Sequence, residues 1–287
     1  MILKQRKLFF LITGAVFLFG ALLALIGLVS GAKADYDSKL KFCEFEANVP
    51  ASNVYNLQID SSMSDITVIS SNDVDKINIV GHNISKEFLD YTTSNNTFRL
   101  KYATKKWYQV IYKPAYNSAD GSIEIYVPAK LPLKDVEIKC TNGNTRINYL
   151  TADRTFIYCG GEESSIKDMN CSYSKLTTSG DYFNGVNISA EAADLKVNKG
   201  EAVISNFTSS SLSIINNSGK LDLSGVVSGD SAITSDGDSV FTLYGDSADY
   251  NFSVTGGDVT VNGREPKENS SAKYDIKLQG DMDITIE

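Results

Sequence analysis

The sequence holds a single histidine, His82, and a single tryptophan, Trp107. One histidine removes Ser-His-Asp and Cys-His catalysis and multi-histidine metal sites, unless that one residue serves. Basic charge is also scarce: Lys and Arg number 27 against 35 Asp and Glu, a net charge of -8. All four charges in residues 1–34 are basic (Lys4, Arg6, Lys7 and Lys33), which leaves 23 basic and 35 acidic residues after them. Nucleic acid rewards clustered Lys and Arg, so no nucleic-acid partner is expected. No Gly-Gly-x-Gly-x-Asp array of the calcium-binding kind occurs, and no cofactor or metal is expected. What remains is 42% hydrophobic, enough to bury a core.

The chain also lacks any charge from Leu8 to Ser30, a run of 23 residues. At 1.5 Å per residue such a run spans a bilayer, and Lys4, Arg6 and Lys7 before it keep residues 1–7 in the cytoplasm. The expectation is a single-pass anchor with everything after Gly31 outside the cell. The competing reading is a cleaved signal peptide, because Ala32-Lys33-Ala34 resembles a cleavage site. Gly20-x-x-x-Ala24 and Gly27-x-x-x-Gly31 have the spacing that lets membrane helices approach one another, which leaves self-association open.

The second half repeats. Stepping by 19 from Ile138 reaches Ile157, Leu176, Leu195, Ile214, Ile233 and Phe252. Seven apolar residues in a row arise by chance about twice in a thousand trials. Nine residues downstream the series reads Ile147, Ile166, Gly185, Ile204, Leu223, Thr242 and Val261. Twelve downstream it reads Leu150, Met169, Ile188, Phe207 and Val226, and fourteen downstream only small residues, from Ala152 and Cys171 to Ser247. Within each unit, short alternating stretches flank a glycine: Gly143, Gly180, Gly200, Gly219, Gly237 or Gly257. This is the strand-turn-strand signal, with glycine expected at left-handed corners. Units this short stack strand on strand, about 4.8 Å apart, as a parallel β-solenoid. The expected fold is therefore all-β, a solenoid of 19-residue coils behind one N-terminal transmembrane helix.

The expected organisation is a tail (1–7), an anchor (8–30), a stalk (31–52), an irregular β region at the solenoid base (53–135) and the regular repeats (136–287). Strands are expected at 54–59, 65–69, 76–80, 97–102, 108–112 and 122–127. The insert after Val261 reads as a loop before a last coil, with Asp281, Asp283 and Glu287 as its charged cap.

Asn56-Leu-Gln-Ile-Asp60, Ser64-Asp-Ile-Thr-Val-Ile69 and Ile123-Glu-Ile-Tyr-Val-Pro128 are joined by recurring turns such as Ser179-Gly-Asp181, Ser235-Asp-Gly-Asp238 and Thr255-Gly-Gly-Asp258. Over residues 53–287 the chain resembles a bacterial adhesin-like β-strand-repeat family of unknown function, often tethered by one membrane helix. The resemblance implies a β-solenoid at the cell surface and no established activity or site residues. The cysteines and the Tyr-rich stretch near 102–116 fall outside that pattern, so nothing is carried over to them.

Three constellations stand out. Lys105, Lys106, Trp107, Tyr108 and Tyr112 form the one basic aromatic cluster. It suits sugars and phosphate-bearing envelope polymers, or else it is an edge hairpin protected by lysines. Cys140 and Cys159, 19 apart, fall in one column of adjacent coils, either as a disulfide or as two buried thiols. The Gly-Asp pairs invite a reading as calcium or polysaccharide ligands, but Asp also favours turns by bonding its own backbone. No two carboxylates are singled out for glycosidase chemistry. The sequence reads as a non-enzymatic, extracytoplasmic binding scaffold whose partner is a cell-wall polymer or an envelope protein. The alternatives are an envelope-stress sensor acting through a membrane partner, and a carbohydrate-active enzyme.

Overall fold

The computed structural model describes residues 2–29, 41–103 and 121–287. The first element is helix α1, Ile2–Val29, free of proline and uncharged from Leu8 onward. Its described side chains are those at 10 and 12–27, and several, such as Phe10, Phe17 and Leu18, are exposed. Counting described residues alone, no helix is long and apolar enough to cross a membrane.

The second unit is β apart from a single 3-10 turn at Ser247–Asp249 among the described residues. Its strands are β1 (Phe42–Pro50), β2 (Asn56–Ser61), β3 (Asp65–Ser71), β4 (Lys76–Ser85), β5 (Leu89–Ser94), β6 (Thr97–Tyr102), β7 (Ser122–Pro128), β8 (Asp135–Cys140) and β9 (Thr145–Asn148). They continue as β10 (Thr151–Cys159), β11 (Glu163–Thr178), β12 (Tyr182–Val197), β13 (Glu201–Asn216), β14 (Lys220–Val227), β15 (Ser231–Leu243), β16 (Tyr250–Val254), β17 (Val259–Val261) and β18 (Tyr274–Ile286). All join one connected, mostly parallel sheet, as expected of a solenoid. One stack runs β6, β2, β8, β10, then the second halves of β11, β12 and β13, then β15, β18 and β16. The other runs β7, β3, β9, then the first halves of β11 to β13, then β14, β15, β18 and β17.

The 19-residue step survives as register. Ile138, Ile157, Leu176, Leu195, Ile214 and Ile233 pair rung by rung, all buried. Each such side chain taken out of water contributes about 1.5–3 kcal/mol, which is why the interior column must stay apolar. Above Ile233 the ladder continues with Leu278 rather than the expected Phe252. Strand β18 is inserted between β15 and the β16–β17 coil, pairing on both sides. The expected last coil is thus internal, and β16–β17 closes the stack. Strand β18 suits an internal position because Ile276 and Leu278 before Gly280, and Met282 and Ile284 after it, keep the two-residue alternation and are all buried. The base mirrors this: β2 and β3 lie between the β6–β7 coil and the β8–β9 coil.

Two expected positions are off by one residue. Val226 is 38% exposed and Val227 is buried at 1%, because β13 and β14 shift register between Ile204 and Phe207. In the second column Phe241, not Thr242, follows Leu223, because the turn from Ser235 to Ser239 is one residue shorter than that from Asn216 to Leu221. The stretch 42–50, expected in the stalk, is β1, antiparallel to β4. Strand β5, absent from the sequence reading, is antiparallel to β6. The expected strand at 108–112 lies outside the described residues.

The glycine turns also differ from expectation in cause. Among the six glycines expected at left-handed corners, only Gly200 and Gly257 have positive φ. The others answer a different constraint: a Cβ on Gly180 would lie 1.7 Å from the Gly161 carbonyl oxygen, and one on Gly237 2.2 Å from that of Gly219. Successive turns touch through bare backbone. The left-handed corner lies elsewhere, at Tyr149, Asp168, Asn187 and Asn206, each 19 residues from the last, with φ of 61, 56, 56 and 54°.

Candidate binding face

The basic aromatic cluster Lys105, Lys106, Trp107, Tyr108 and Tyr112 lies outside the described residues. The other sequence candidates are placed. Cys140 and Cys159 pair in register on adjacent strands, both are buried, and both are free thiols. Cys140 Sγ donates toward the Gly143 carbonyl at 3.0 Å. Burial pushes the Cys140 thiol up to about 11 and that of Cys159 to about 12. At neutral pH neither carries the thiolate needed for nucleophilic attack or metal ligation. His82 is exposed, with Nδ1 2.6 Å from a Glu44 carboxylate oxygen.

The Gly-Asp carboxylates do structural work at turns. Asp281 accepts from the Asp258 amide at 2.8 Å, and Asp181 lies 3.5 Å from the Lys199 ammonium. Among the described residues no group of three or more His, Cys, Asp or Glu is placed to hold a metal ion.

What the fold presents instead is ladders of outward side chains. Alternation sends every second residue of a strand to solvent, and register places like positions one above another. On the stack built from β6 to β12, one column reads Arg99, Gln58, Glu137, Phe156, Lys175 and Asp194. Arg99 Nε donates to Gln58 at 2.8 Å, and Gln58 donates on to Glu137 at 3.1 Å. Two residues upstream, Arg154 reaches Asp135 at 2.7 Å. The Phe156 and Tyr173 rings meet tilted, with centroids 5.8 Å apart, and Tyr173 donates to Asp194. The Asp194 carboxylate holds the Tyr173 phenol up at about 12, burial adding to the effect. Phe156 remains 36% exposed between Arg154 and Lys175.

At the corner, Asn206 Nδ2 donates to Asn187 and Asn187 Nδ2 to Asp168, at 3.0 and 2.7 Å. A second asparagine ladder follows the turns: Asn217 donates to Asn198 at 2.9 Å and Asn198 to Ser179 at 2.7 Å. The sequence reading missed both, because it stepped by 19 only through apolar and small-residue columns. The same step through Asp168, Asn187 and Asn206 would have found the corner.

These groups do not converge on a reacting centre. They form a shallow, repetitive surface of amides, paired charges and one exposed ring, Phe156, packed on the half-buried Tyr173, with rungs about 4.8 Å apart.

A family model for Toastrack DUF4097 matches residues 54–287. The chain belongs to this toastrack family. Among solved structures, a "putative adhesin" from Bacteroides fragilis is similar over 85% of this chain and 97% of its own, with 15% identity and a TM-score of 0.54. A second "putative adhesin", from Parabacteroides distasonis, covers 87% of this chain and 98% of its own at 12% identity and a TM-score of 0.53. A third, from Parabacteroides merdae, covers 86% and 96% at 11% identity and a TM-score of 0.51. At such identity the likeness is one of toastrack fold. No curated protein matches the sequence.

Proposed function

We propose that this toastrack domain is a non-enzymatic binding scaffold of the cell envelope, held at the outer face of the membrane by the segment Leu8 to Ser30. The anchor reading is supported by the 23 uncharged residues behind Lys4, Arg6 and Lys7, and by a helix whose described apolar side chains face solvent. The binding reading is carried by the outward face around Phe156, whose exposed ring, packed on the half-buried Tyr173, sits among stacked amides and charges. A surface that repeats every rung suits a partner that also repeats. A cell-wall polymer meets that condition, offering sugar faces to the aromatics and anionic groups to Arg154 and Lys175. The cluster Lys105, Lys106 and Trp107 is a second candidate contact.

The test is co-sedimentation of the full chain, in detergent, with isolated cell wall. Wild-type chain is expected in the pellet. Phe156→Ala with Tyr173→Ala, and separately Lys105→Ala with Lys106→Ala and Trp107→Ala, identify which surface is used. A chain that stays in the supernatant overturns the reading. Recovery of a specific membrane protein with it would move the function to envelope-stress sensing through that partner.

A further inference from the structure

The far end of the stack has a feature that the wall-facing ladders do not explain. Strand β18 pairs with β16 and β17, and among the described residues no strand pairs with the outer edge of those two. In a parallel ladder each residue turns its N–H and C=O to one neighbour, and the next residue turns them to the other. The Thr255 amide bonds the Leu278 carbonyl, and the Asn262 amide bonds the Ile284 carbonyl. Phe252 and Val254 of β16, and Val259 of β17, therefore direct their amide and carbonyl outward. Val261, the next outward residue, is closed by mutual bonds with Arg264.

Open edges usually carry charge or proline that discourages pairing. Strand β1 has Glu44, Glu46 and Pro50, whereas β16 (Tyr-Asn-Phe-Ser-Val) and β17 (Val-Thr-Val) have neither. Val254 is 40% exposed. The far end of the loop after β17 is anchored by the Asn269 amide on Asn251 Oδ1, at 2.8 Å, and by Lys273 on Asp249, at 2.7 Å. Between loop and edge lies a groove of about 700 Å³, lined by Phe252, Val254, Val259 and the carboxylates of Asp258, Glu265 and Glu268, with no basic side chain.

Charge says what fits there. Residues 129–220 balance at ten acidic and ten basic, whereas residues 221–287 hold 13 acidic and 4 basic. We propose that the outer edge of β16 and β17 is a docking site for an extended, lysine- or arginine-bearing peptide segment of a partner protein, which adds as one more strand. Its backbone bonds the outward groups of Phe252, Val254 and Val259, its apolar side chains enter the groove, and its basic side chains meet Asp258, Glu265 and Glu268. This site is separate from the face around Phe156 and does not depend on its ligand.

The probe is a blocked peptide of alternating lysine and valine, titrated against the full chain in detergent, with a glutamate-valine peptide as counterpart. The lysine peptide is expected to bind and to slow amide exchange at Phe252, Val254 and Val259. The glutamate peptide is expected not to bind. Val254→Pro removes one outward N–H without changing charge and is expected to weaken binding about tenfold or more, the loss of one charge-free backbone contact and its neighbour's alignment. Absence of binding overturns the proposal. So does binding unchanged in Val254→Pro, which would mark a purely ionic surface, or exchange protection confined to β1 or β5. The exchange measurement uses unaltered chain, so misfolding of the variant leaves the test intact.

Discussion

Asn206 stands one coil above Asn187, both with left-handed backbone, and donates its side-chain amide to the Asn187 oxygen at 3.0 Å. One residue type thus meets two demands, because asparagine tolerates positive φ and its amide can both give and take a hydrogen bond. Asn187→Ala loses both advantages and is expected to destabilise the domain by about 1–3 kcal/mol, by denaturant unfolding. Asn187→Gly relieves the backbone and should cost less. Equal losses for the two variants would mean that the corner conformation contributes nothing.

The glycine column gives a steeper contrast. Gly180→Ala places a methyl 1.7 Å from the Gly161 oxygen, within the backbone of the coil beside it. The variant is expected to fold poorly or lose more than about 3 kcal/mol. Gly256→Ala has nothing within 4 Å and should stay within about 0.5 kcal/mol of wild type. Thermal melts of the pair check this, and a well-folded Gly180→Ala would show that the turns do not touch.

Cys140 and Cys159 give a pH dependence. Both thiols sit at 9.0 when free of the fold and rise to about 11 and about 12 within it. Between those values the folded chain holds protons that the unfolded chain has released, so stability must fall as pH rises. Their contribution is complete below pH 9 and is lost on the way to 12. A Cys140→Ala, Cys159→Ala chain should show a shallower decline of the urea midpoint above pH 9 than wild type. Neither thiol should react with iodoacetamide at pH 7.5 until the chain unfolds, and rapid labelling of the native protein would refute the burial.

Val226 and Val227 test the register directly. Val227→Ala empties a buried site and is expected to cost about 1–3 kcal/mol, whereas Val226→Ala should be nearly silent. A strict 19-residue step places the burden on Val226 instead.

That pair also shows how far the sequence could be read. The apolar columns were legible because a buried ladder punishes any polar member, so Ile138 to Ile233 could be found by counting alone. Counting fails where a coil changes length. The shortened turn at 236–238 and the lost corner residue in β14 leave no mark in composition, and each moves the buried position by one. The insertion of β18 was hidden for another reason: chain order predicts stacking order only when each coil is laid on the last. The candidate site was less legible still. Phe156 and Tyr173 are ordinary outward residues until register brings their rings within 5.8 Å.

The interleaving of strands at the two ends bears on how the molecule comes apart. A repeat stack in which chain order and spatial order agree can unzip from either extremity, shedding one coil at a time. Here β18 is clamped by β15 on one side and by β16 and β17 on the other, and β2 by β6 and β8. Withdrawing β18 tears two ladders at once and leaves β16 and β17 without a neighbour. The outermost coils, for their part, are tethered through the strands they cover. Fraying at one end therefore draws in the coil beneath it, and both ends act as locks on the stack between them.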